Sequence, residues 1–215
     1  SEATALLARQ TEAYGTLVTN FLAGLQNDAG LISGTPPFAA LLRTLEAPDR
    51  IDPEDGSTAE QWRSRMESIF TTFLAHRPYY LAAEFVGNET QVHALASVRR
   101  QGEQILPSGG SAMAGADWLD AARRLEPRDW MLTAPRAAEG GGTVIDFVLA
   151  YPGPDGATAA FLVLTADYSA IVSAALSVPP TTGMLALIHQ TGTVRVYGPS
   201  PGAEIAWTDD AHVTQ

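Results

Sequence analysis

The chain has 215 residues, of which 46% are hydrophobic and 17% charged, and its formal net charge is −11. This composition is typical of a soluble globular protein, and the acidic excess argues against a nucleic-acid partner, whose phosphates require a basic surface. The absence of cysteine excludes disulfides, thiolate metal sites and cysteine nucleophiles.

A stripe of mostly apolar residues at steps of four and three predicts one long helix over residues 3–27. The stripe consists of Leu7, Thr11, Tyr14, Val18, Phe21 and Leu25. We expect the helix to end at Gly30, because glycine takes the left-handed cap conformation at little cost. The same spacing occurs in coiled-coil seams, so it also predicts a parallel homodimer through this helix. Pro36 and Pro37 predict a short second helix that runs to Leu45.

A third helix is predicted over residues 58–76. Ser57 and Glu60 have the spacing of a capping box, in which each side chain satisfies a free backbone N–H. The following apolar stripe is expected to pack in the core, and it consists of Trp62, Met66, Ile69 and Phe73.

The pattern then changes to strands. Residues 79–86 and 91–98 predict a hairpin around a Gly-Asn-Glu turn. Residues 107–115 are small and predict a flexible loop, residues 116–125 a short helix, and residues 130–134 an edge strand.

A second hairpin is predicted by two apolar runs, 144–151 and 159–166, that flank the turn sequence PGPDGA. The runs lack polar alternation, which favours central strands covered on both faces. Residues 169–176 predict a short helix, and residues 184–189 with 193–197 a third hairpin. The remaining tail shows no clear periodicity.

This order of elements resembles the Cache (PDC) domains, the PAS-like sensor domains of bacterial receptors. The resemblance covers residues 1–175 and is carried by the sequence RPYY (77–80) before the first hairpin, and by VIDFVLAYPGPDGATAAFLVLTADYSAIV (144–172), which is similar to the closing hairpin of the family. Residues 183–215 resemble the start of the second lobe of a double Cache module. The resemblance implies an α+β fold with a central antiparallel sheet of about five strands, a sensor domain over 1–176 and an incomplete, smaller lobe over 177–215.

By the same resemblance, the chain is expected to be the periplasmic or extracellular part of an inner-membrane receptor, above all a sensor histidine kinase, that binds a small molecule. A diguanylate cyclase or chemoreceptor is the alternative output, and a protein-sensing or dimerisation module the alternative function. No apolar run approaches the roughly 20 residues that span a bilayer, so contact with the membrane is expected only through flanking segments outside the sequence.

The departures from the family concern the ligand. Amino-acid-binding members carry an Arg-x-Trp-Tyr motif, of which the segment Ala116–Leu119 keeps only Trp118, while Arg128 and Trp130 form an Arg-x-Trp sequence further on. His93 stands where many kinase relatives have arginine.

Asp146 is the sharpest anomaly, because a carboxylate within an apolar strand must be paired, be exposed at an edge or face a polar cavity. Trp118 and Trp130 either line a pocket or fill the core, and Asp167 either caps a helix near Ser169 or contacts ligand. The complete candidate ligand site is Tyr80, His93, Arg99, Trp118, Arg128, Trp130, Asp146, Tyr151 and Asp167.

No catalytic motif is present, and the four histidines are scattered singly. We therefore expect no metal site, no cofactor and no enzymatic activity in this segment, with an unfamiliar hydrolase as the remaining enzymatic alternative.

Overall fold

The computed structural model describes residues 2–88, 94–108, 118–138, 141–168, 185–188, 194–197 and 204–208. The chain divides into two compact units, Gly24–Asp167 on the one hand and Ser1–Ala23 with Tyr168–Gln215 on the other. The predicted boundary near residue 176 stays a prediction. No helix in the described part of the chain has both the length and the apolar character needed to cross a bilayer.

The three predicted helices are present as α1 (Glu2–Ser33), α2 (Pro36–Glu46) and α3 (Ala59–His76). The predicted end of α1 at Gly30 is wrong, because the buried stripe runs from Ala29 before the glycine to Ile32 after it, and these residues are 0% and 3% exposed. Burial of these residues outweighs the roughly 1 kcal/mol that a glycine costs within a helix.

The start of α3 lies one residue later than predicted. The capping box is formed by Thr58, whose Oγ1 accepts from the backbone N–H of Gln61 at 3.3 Å, and by Gln61, whose Oε1 accepts from the backbone N–H of Thr58 at 2.8 Å. The predicted pair Ser57 and Glu60 does not cap the helix, because the backbone N–H and hydroxyl of Ser57 both donate to Asp55.

The buried residues of α3 are Trp62, Met66, Phe70 and Leu74. The predicted stripe is therefore right in its first half only, since Ile69 and Phe73 are half-buried. Steps of four follow the i, i+4 rows of the helix surface, which run obliquely to the axis.

The main sheet has seven antiparallel strands in the order β3-β2-β1-β7-β6-β4, with β5 paired to β6. They are β1 (Tyr80–Gly87), β2 (Ala94–Gln101), β3 (Gln104–Pro107), β4 (Trp130–Leu132), β5 (Arg136–Ala137), β6 (Thr143–Pro152) and β7 (Thr158–Asp167). The α+β fold and its antiparallel sheet are confirmed. The sheet exceeds the expected five strands by two short ones, β3 and β5.

The central hairpin is also confirmed. Strands β6 and β7 pair from Val144 opposite Asp167 to Tyr151 opposite Ala160. The turn requires Gly153, because a Cβ there would lie 2.9 Å from the Cβ of Ala159. Strand β7 is paired on both edges, by β1 and β6, and the consecutive residues 160–166 are all buried. Both of its faces are therefore covered, as the sequence predicted.

Strand alternation divides the main sheet into two faces. We call one side the helical face; it carries Phe85, Phe147 and Leu164 and packs against α2 and α3. Its core is aromatic: the ring centroid of Phe38 lies 4.7 Å from that of Phe85 and 5.9 Å from that of Phe70. The opposite side packs against a short helix, α4 (Leu119–Ala122), and we call it the α4 face.

The other unit contains a separate three-stranded antiparallel sheet in the order β10-β9-β8. Its strands are β8 (Leu185–Ile188), β9 (Val194–Tyr197) and β10 (Glu204–Thr208). The third predicted hairpin is thus present as β8 and β9, whereas β10 lies in the tail where no periodicity was visible. The predicted helix over 169–176 lies outside the described residues.

Candidate functional site

Most polar residues of the sheet interior lie on the α4 face. The buried acidic residues Glu84 on β1 and Asp146 on β6 flank β7 and are 3% and 0% exposed. An ionised carboxylate is costly to bury unless hydrogen bonds and opposite charges compensate for lost water, so the partners of these two groups decide what each can do.

Asp146 is fully engaged by protein groups. Arg136 on β5 donates to it in bidentate fashion, from Nε to Oδ2 at 3.0 Å and from Nη2 to Oδ1 at 3.1 Å. The hydroxyl of Thr165 on β7 donates to Oδ1 at 2.7 Å, and the backbone N–H of Asp146 donates to the hydroxyl of Thr133 at 3.0 Å. Of the alternatives for Asp146, edge exposure is excluded and structural pairing is observed; direct contact with a ligand remains a prediction.

The burial of the Glu84 carboxyl is compensated by fewer partners than that of Asp146. The hydroxyl of Ser97, its cross-strand neighbour on β2, donates to Glu84 Oε1 at 3.0 Å. The Ser97 hydroxyl is also hydrogen-bonded to the hydroxyl of Ser108. A hydroxyl has one proton, so when Ser97 donates to Glu84, Ser108 donates to Ser97.

Burial raises the pKa of the Glu84 carboxyl above its ordinary value, and the nearby Asp146 raises it further. The hydrogen bond from Ser97 and the charges of Arg99 and Arg136 act in the opposite direction but do not cancel the effect of burial. Glu84 is therefore a carboxyl whose proton occupancy is sensitive to its surroundings.

The rest of the α4 face is apolar. A buried cluster covers it between the sheet and α4, made of Val86, Leu119, Ala122, Val148, Ala150, Phe161 and Val163. Trp118 is half-buried and packs edge-on against Phe161, with ring centroids 6.3 Å apart and planes at 85°. The face thus presents a polar half beside an apolar half, the combination that small-molecule sites use for orientation and affinity.

Part of the sequence-derived site lies on this face. Arg99 on β2, Trp118 before α4, Asp146 on β6 and Asp167 at the end of β7 all belong to it by strand register or direct packing. The alternative role of Asp167 as a helix cap concerns residues outside the described part of the chain.

Three other candidates lie on the helical face, and the structure does not bring them together with the first group. Tyr80 is 0% exposed, and its hydroxyl donates to Asp28 Oδ2 at 3.2 Å. Tyr151 packs against Phe38 with a centroid distance of 5.5 Å. The ring of Trp130 stacks on a phenylalanine ring of the helical face, with the ring centroids 5.2 Å apart.

The last two candidates are Arg128 and His93. The side chain of Arg128 is exposed, and its backbone has φ 76° and donates its N–H to the carbonyl of Ala150 at 2.8 Å. His93 lies outside the described residues.

Glu84, Ser97, Thr165 and Arg136 were not predicted from the sequence. Glu84 gave the same signal as Asp146, a carboxylate within an apolar run, here LAAEFVG. The other three are recognisable only once the register is known, because their significance lies in what they face.

A second polar cluster has a structural role. Asp28 on α1 accepts from Arg77 Nη2 at 3.2 Å and from the hydroxyls of Tyr79 and Tyr80 at 3.1 and 3.2 Å. These contacts fix the end of α1 to the start of β1. Among the described residues, no group of three or more possible metal ligands is present.

No family model and no curated protein sequence matches the chain. Solved structures do match. The chain aligns over 90% of its length with an extracellular domain described as that of a histidine kinase, vpHK1S-Z8, at TM-score 0.65 and 14% identity. It aligns over 90% with a domain of a sensory box/GGDEF family protein from Vibrio parahaemolyticus, at TM-score 0.61 and 12% identity.

A third similar structure is the ligand-binding domain of the Campylobacter jejuni chemoreceptor Tlp3 in complex with L-valine, with TM-score 0.60, 14% identity and 90% of this chain covered. The chain spans 66%, 69% and 71% of these three solved domains. At such identities the likeness shows the fold. The chain has the α+β fold of extracellular sensor domains, which confirms the Cache resemblance at that level.

Proposed function

We propose that the chain is the extracytoplasmic sensing domain of a membrane-bound receptor, in particular a sensor histidine kinase, and that it binds a small molecule on the α4 face. The observation that carries the proposal is the composition of this face, where buried hydrogen-bonding groups adjoin a buried apolar cluster next to a short helix. The fold supports it, since it is shared with sensor domains of which one was solved with L-valine bound.

The domain acts by binding rather than by catalysis. A ligand changes the balance between two receptor conformations only by binding one of them more tightly. The α4 face is suited to such a bias, because the ligand contacts both the sheet and the short helix α4, two elements whose relative position depends on what lies between them.

Dimerisation through α1 belongs to the same proposal, with a narrower interface than the sequence stripe suggested. Leu25, the last residue of the stripe, is 1% exposed within the Gly24–Asp167 unit and is not available to a partner helix. Leu17 is 41% exposed, so the seam of a parallel pair is expected in the part of α1 before Leu25.

The experiment is a thermal-shift screen against small carboxylates, amines, nucleobases and sugars, since a ligand that binds the native state raises its stability. A ligand at a hundredfold excess over its Kd contributes about 2.7 kcal/mol, a shift of roughly 5–11 °C for a chain of this size.

Two half-buried tryptophans supply matched variants. Trp118→Ala removes a side chain of the α4 face and is expected to abolish the shift of a true ligand, whereas Trp130→Ala removes one of the helical face and is expected to retain it. No saturable shift with any compound class, or a shift lost in both variants to the same extent, would contradict small-molecule binding on the α4 face and favour a module that senses a protein.

A further inference from the structure

We propose that Tyr79 and Tyr80, at the junction of α3 and β1, form a mechanical joint that makes both chain connections of the Gly24–Asp167 unit move together. One connection is the helix α1, which enters the unit at Gly24, and the other is the chain that leaves the unit after Asp167. Such a joint carries a displacement of β1 out of the unit. Its presence does not depend on which ligand the domain binds.

The first half of the joint holds α1. Asp28 lies on α1 shortly after Gly24 and is 8% exposed, and its Oδ2 accepts from the hydroxyls of Tyr79 and Tyr80 at 3.1 and 3.2 Å. Arg77 supplies the countercharge, with its Nη2 3.2 Å from Oδ1. Burial raises the pKa of both tyrosine hydroxyls, so they remain protonated donors to the carboxylate at neutral pH. Hydrogen bonds to a charged acceptor are among the strong ones, and they tie α1 to both tyrosines just inside the unit.

The second half of the joint holds the exit of the chain. The backbone N–H of Asp167, the last residue of β7 and of the unit, donates to the carbonyl of Tyr79 at 2.8 Å. The pairing of β1 with β7 begins at the next residue, where Tyr80 lies opposite Ala166. Tyr79 therefore holds α1 with its side chain and the exit with its main chain.

The joint is internally stiff. The backbone N–H of Tyr80 donates to the carbonyl of Arg77 at 3.1 Å, and Nε of Arg100 on β2 donates to the carbonyl of Tyr80 at 3.3 Å. Pro78, between Arg77 and Tyr79, fixes its own φ angle. A segment bonded in this way transmits a displacement to its neighbours, because energetic coupling is carried by hydrogen-bond networks and rigid elements.

Strand β1 connects the joint to the α4 face. It begins at Tyr80 and continues to Glu84, which lies buried on that face. A ligand that displaces β1 would thus move α1 and the exit of the chain together. This input rests on the proposed function, whereas the joint itself does not.

The test is native-state hydrogen exchange of the 215-residue protein, followed by NMR at low urea concentrations. The amide of Asp167 reports the exit, and the amides of residues 28–32 report α1. The amides of residues 162–164 report global unfolding, because they lie on β7, which is paired on both edges. In the wild type we expect the exit and α1 to open in one event, with equal free energies and equal urea dependence, both below the values for residues 162–164.

Tyr79→Phe removes the hydroxyl that contacts Asp28 and leaves the carbonyl that accepts from Asp167. We expect exchange about tenfold faster at the α1 amides and at the Asp167 amide alike, because the lost hydrogen bond went to a charged group. Asp28→Asn is expected to give the same pattern. Tyr151→Phe is the matched control, since it removes a hydroxyl from another half-buried tyrosine of the helical face, one that packs against Phe38; it is expected to leave both sites unchanged.

Faster exchange in Tyr79→Phe at the α1 amides alone, with the Asp167 amide as in the wild type, would overturn the joint and leave only a local clamp on the helix. An equal acceleration at residues 162–164 would also overturn it, because the hydroxyl would then stabilise the whole fold. Different free energies of opening for α1 and the Asp167 amide in the wild type would overturn it without any variant. No ligand takes part in these measurements, so failure of the joint and failure of ligand binding are distinguishable.

Discussion

The ion pair between Arg136 and Asp146 is predicted to contribute far more to stability than its half-exposed arginine suggests. The side chain of Asp146 is 0% exposed and that of Arg136 is 48% exposed. Exposed ion pairs contribute about 0–1 kcal/mol, whereas breaking a buried pair costs about 3–5 kcal/mol because a charge is left without compensation. One buried partner and bidentate geometry place the coupling between these limits, at about 1.5–3 kcal/mol.

The two single variants are expected to differ. Arg136→Met leaves the buried carboxylate with the Thr165 hydroxyl as its only side-chain donor among the described residues, and we expect a loss of about 2–4 kcal/mol. Asp146→Asn frees an arginine that can turn into water, so the expected loss is smaller, about 1–2 kcal/mol.

A double-mutant cycle measured by urea unfolding, followed by far-UV circular dichroism, isolates the coupling. The matched control is the pair Arg65 and Asp55, whose arginine is also 48% exposed but whose carboxylate is 41% exposed, at 3.4 Å. Its coupling is expected below about 0.5 kcal/mol. Equal coupling energies for the two pairs, or a larger loss in Asp146→Asn than in Arg136→Met, would refute the reasoning.

Three further predictions concern stability. Because burial raises the pKa of Glu84, the contribution of this carboxyl to the free energy of unfolding is present below the unfolded pKa and is lost as pH rises through the folded pKa. Glu84→Gln should therefore become more stabilising relative to wild type between pH 4 and 8. A pH-independent difference between the two proteins in urea unfolding would contradict this. The hydrogen bonds from Arg43 lower the pKa of Asp52 to about 2, so the contribution of Asp52 to the free energy of unfolding is present above the unfolded pKa and is lost as pH falls towards 2. In acid titrations, Asp52→Asn should therefore lose stability less steeply than wild type in that range. Parallel titration curves for the two proteins would contradict this. Phe38→Ala removes a 0% exposed ring from the aromatic core and should lower the free energy of unfolding in urea by about 3–5 kcal/mol. Leu106 is 41% exposed, so Leu106→Ala should lower it by less than about 1 kcal/mol. Similar losses in the two variants would contradict the assignment of the core.

The central hairpin was predictable because its signals are local. Two apolar runs and a proline and glycine turn fix the pairing of β6 with β7 without reference to the rest of the chain. The short strands β3 and β5 carry no such signal, since each is defined by the neighbour to which it pairs.

The candidate site was predictable only in part, because function there depends on which residues share a face. Asp146 and Tyr151 are five positions apart on one strand, and alternation places residues at odd separations on opposite faces. This parity alone separates Tyr151 from the α4 face. The pairing of Arg136 with Asp146 was not predictable, because it requires the register of β5 on β6.

The cap of α3 shows the same limit on a smaller scale. Two overlapping sequences, one starting at Ser57 and one at Thr58, both satisfy the capping pattern. Asp55 decides between them by engaging Ser57, a contact that belongs to the turn before the helix.

The central claim is that a small molecule binds on the α4 face, and methyl NMR of the protein saturated with the strongest hit of the thermal-shift screen tests it most directly. Val86, Val148 and Val163 have their side chains on the α4 face, whereas Leu162 and Leu164 on the same sheet point to the helical face. The account predicts methyl shift changes at the three valines and little change at the two leucines. Changes concentrated at the leucines, with the valines unaffected, would contradict it.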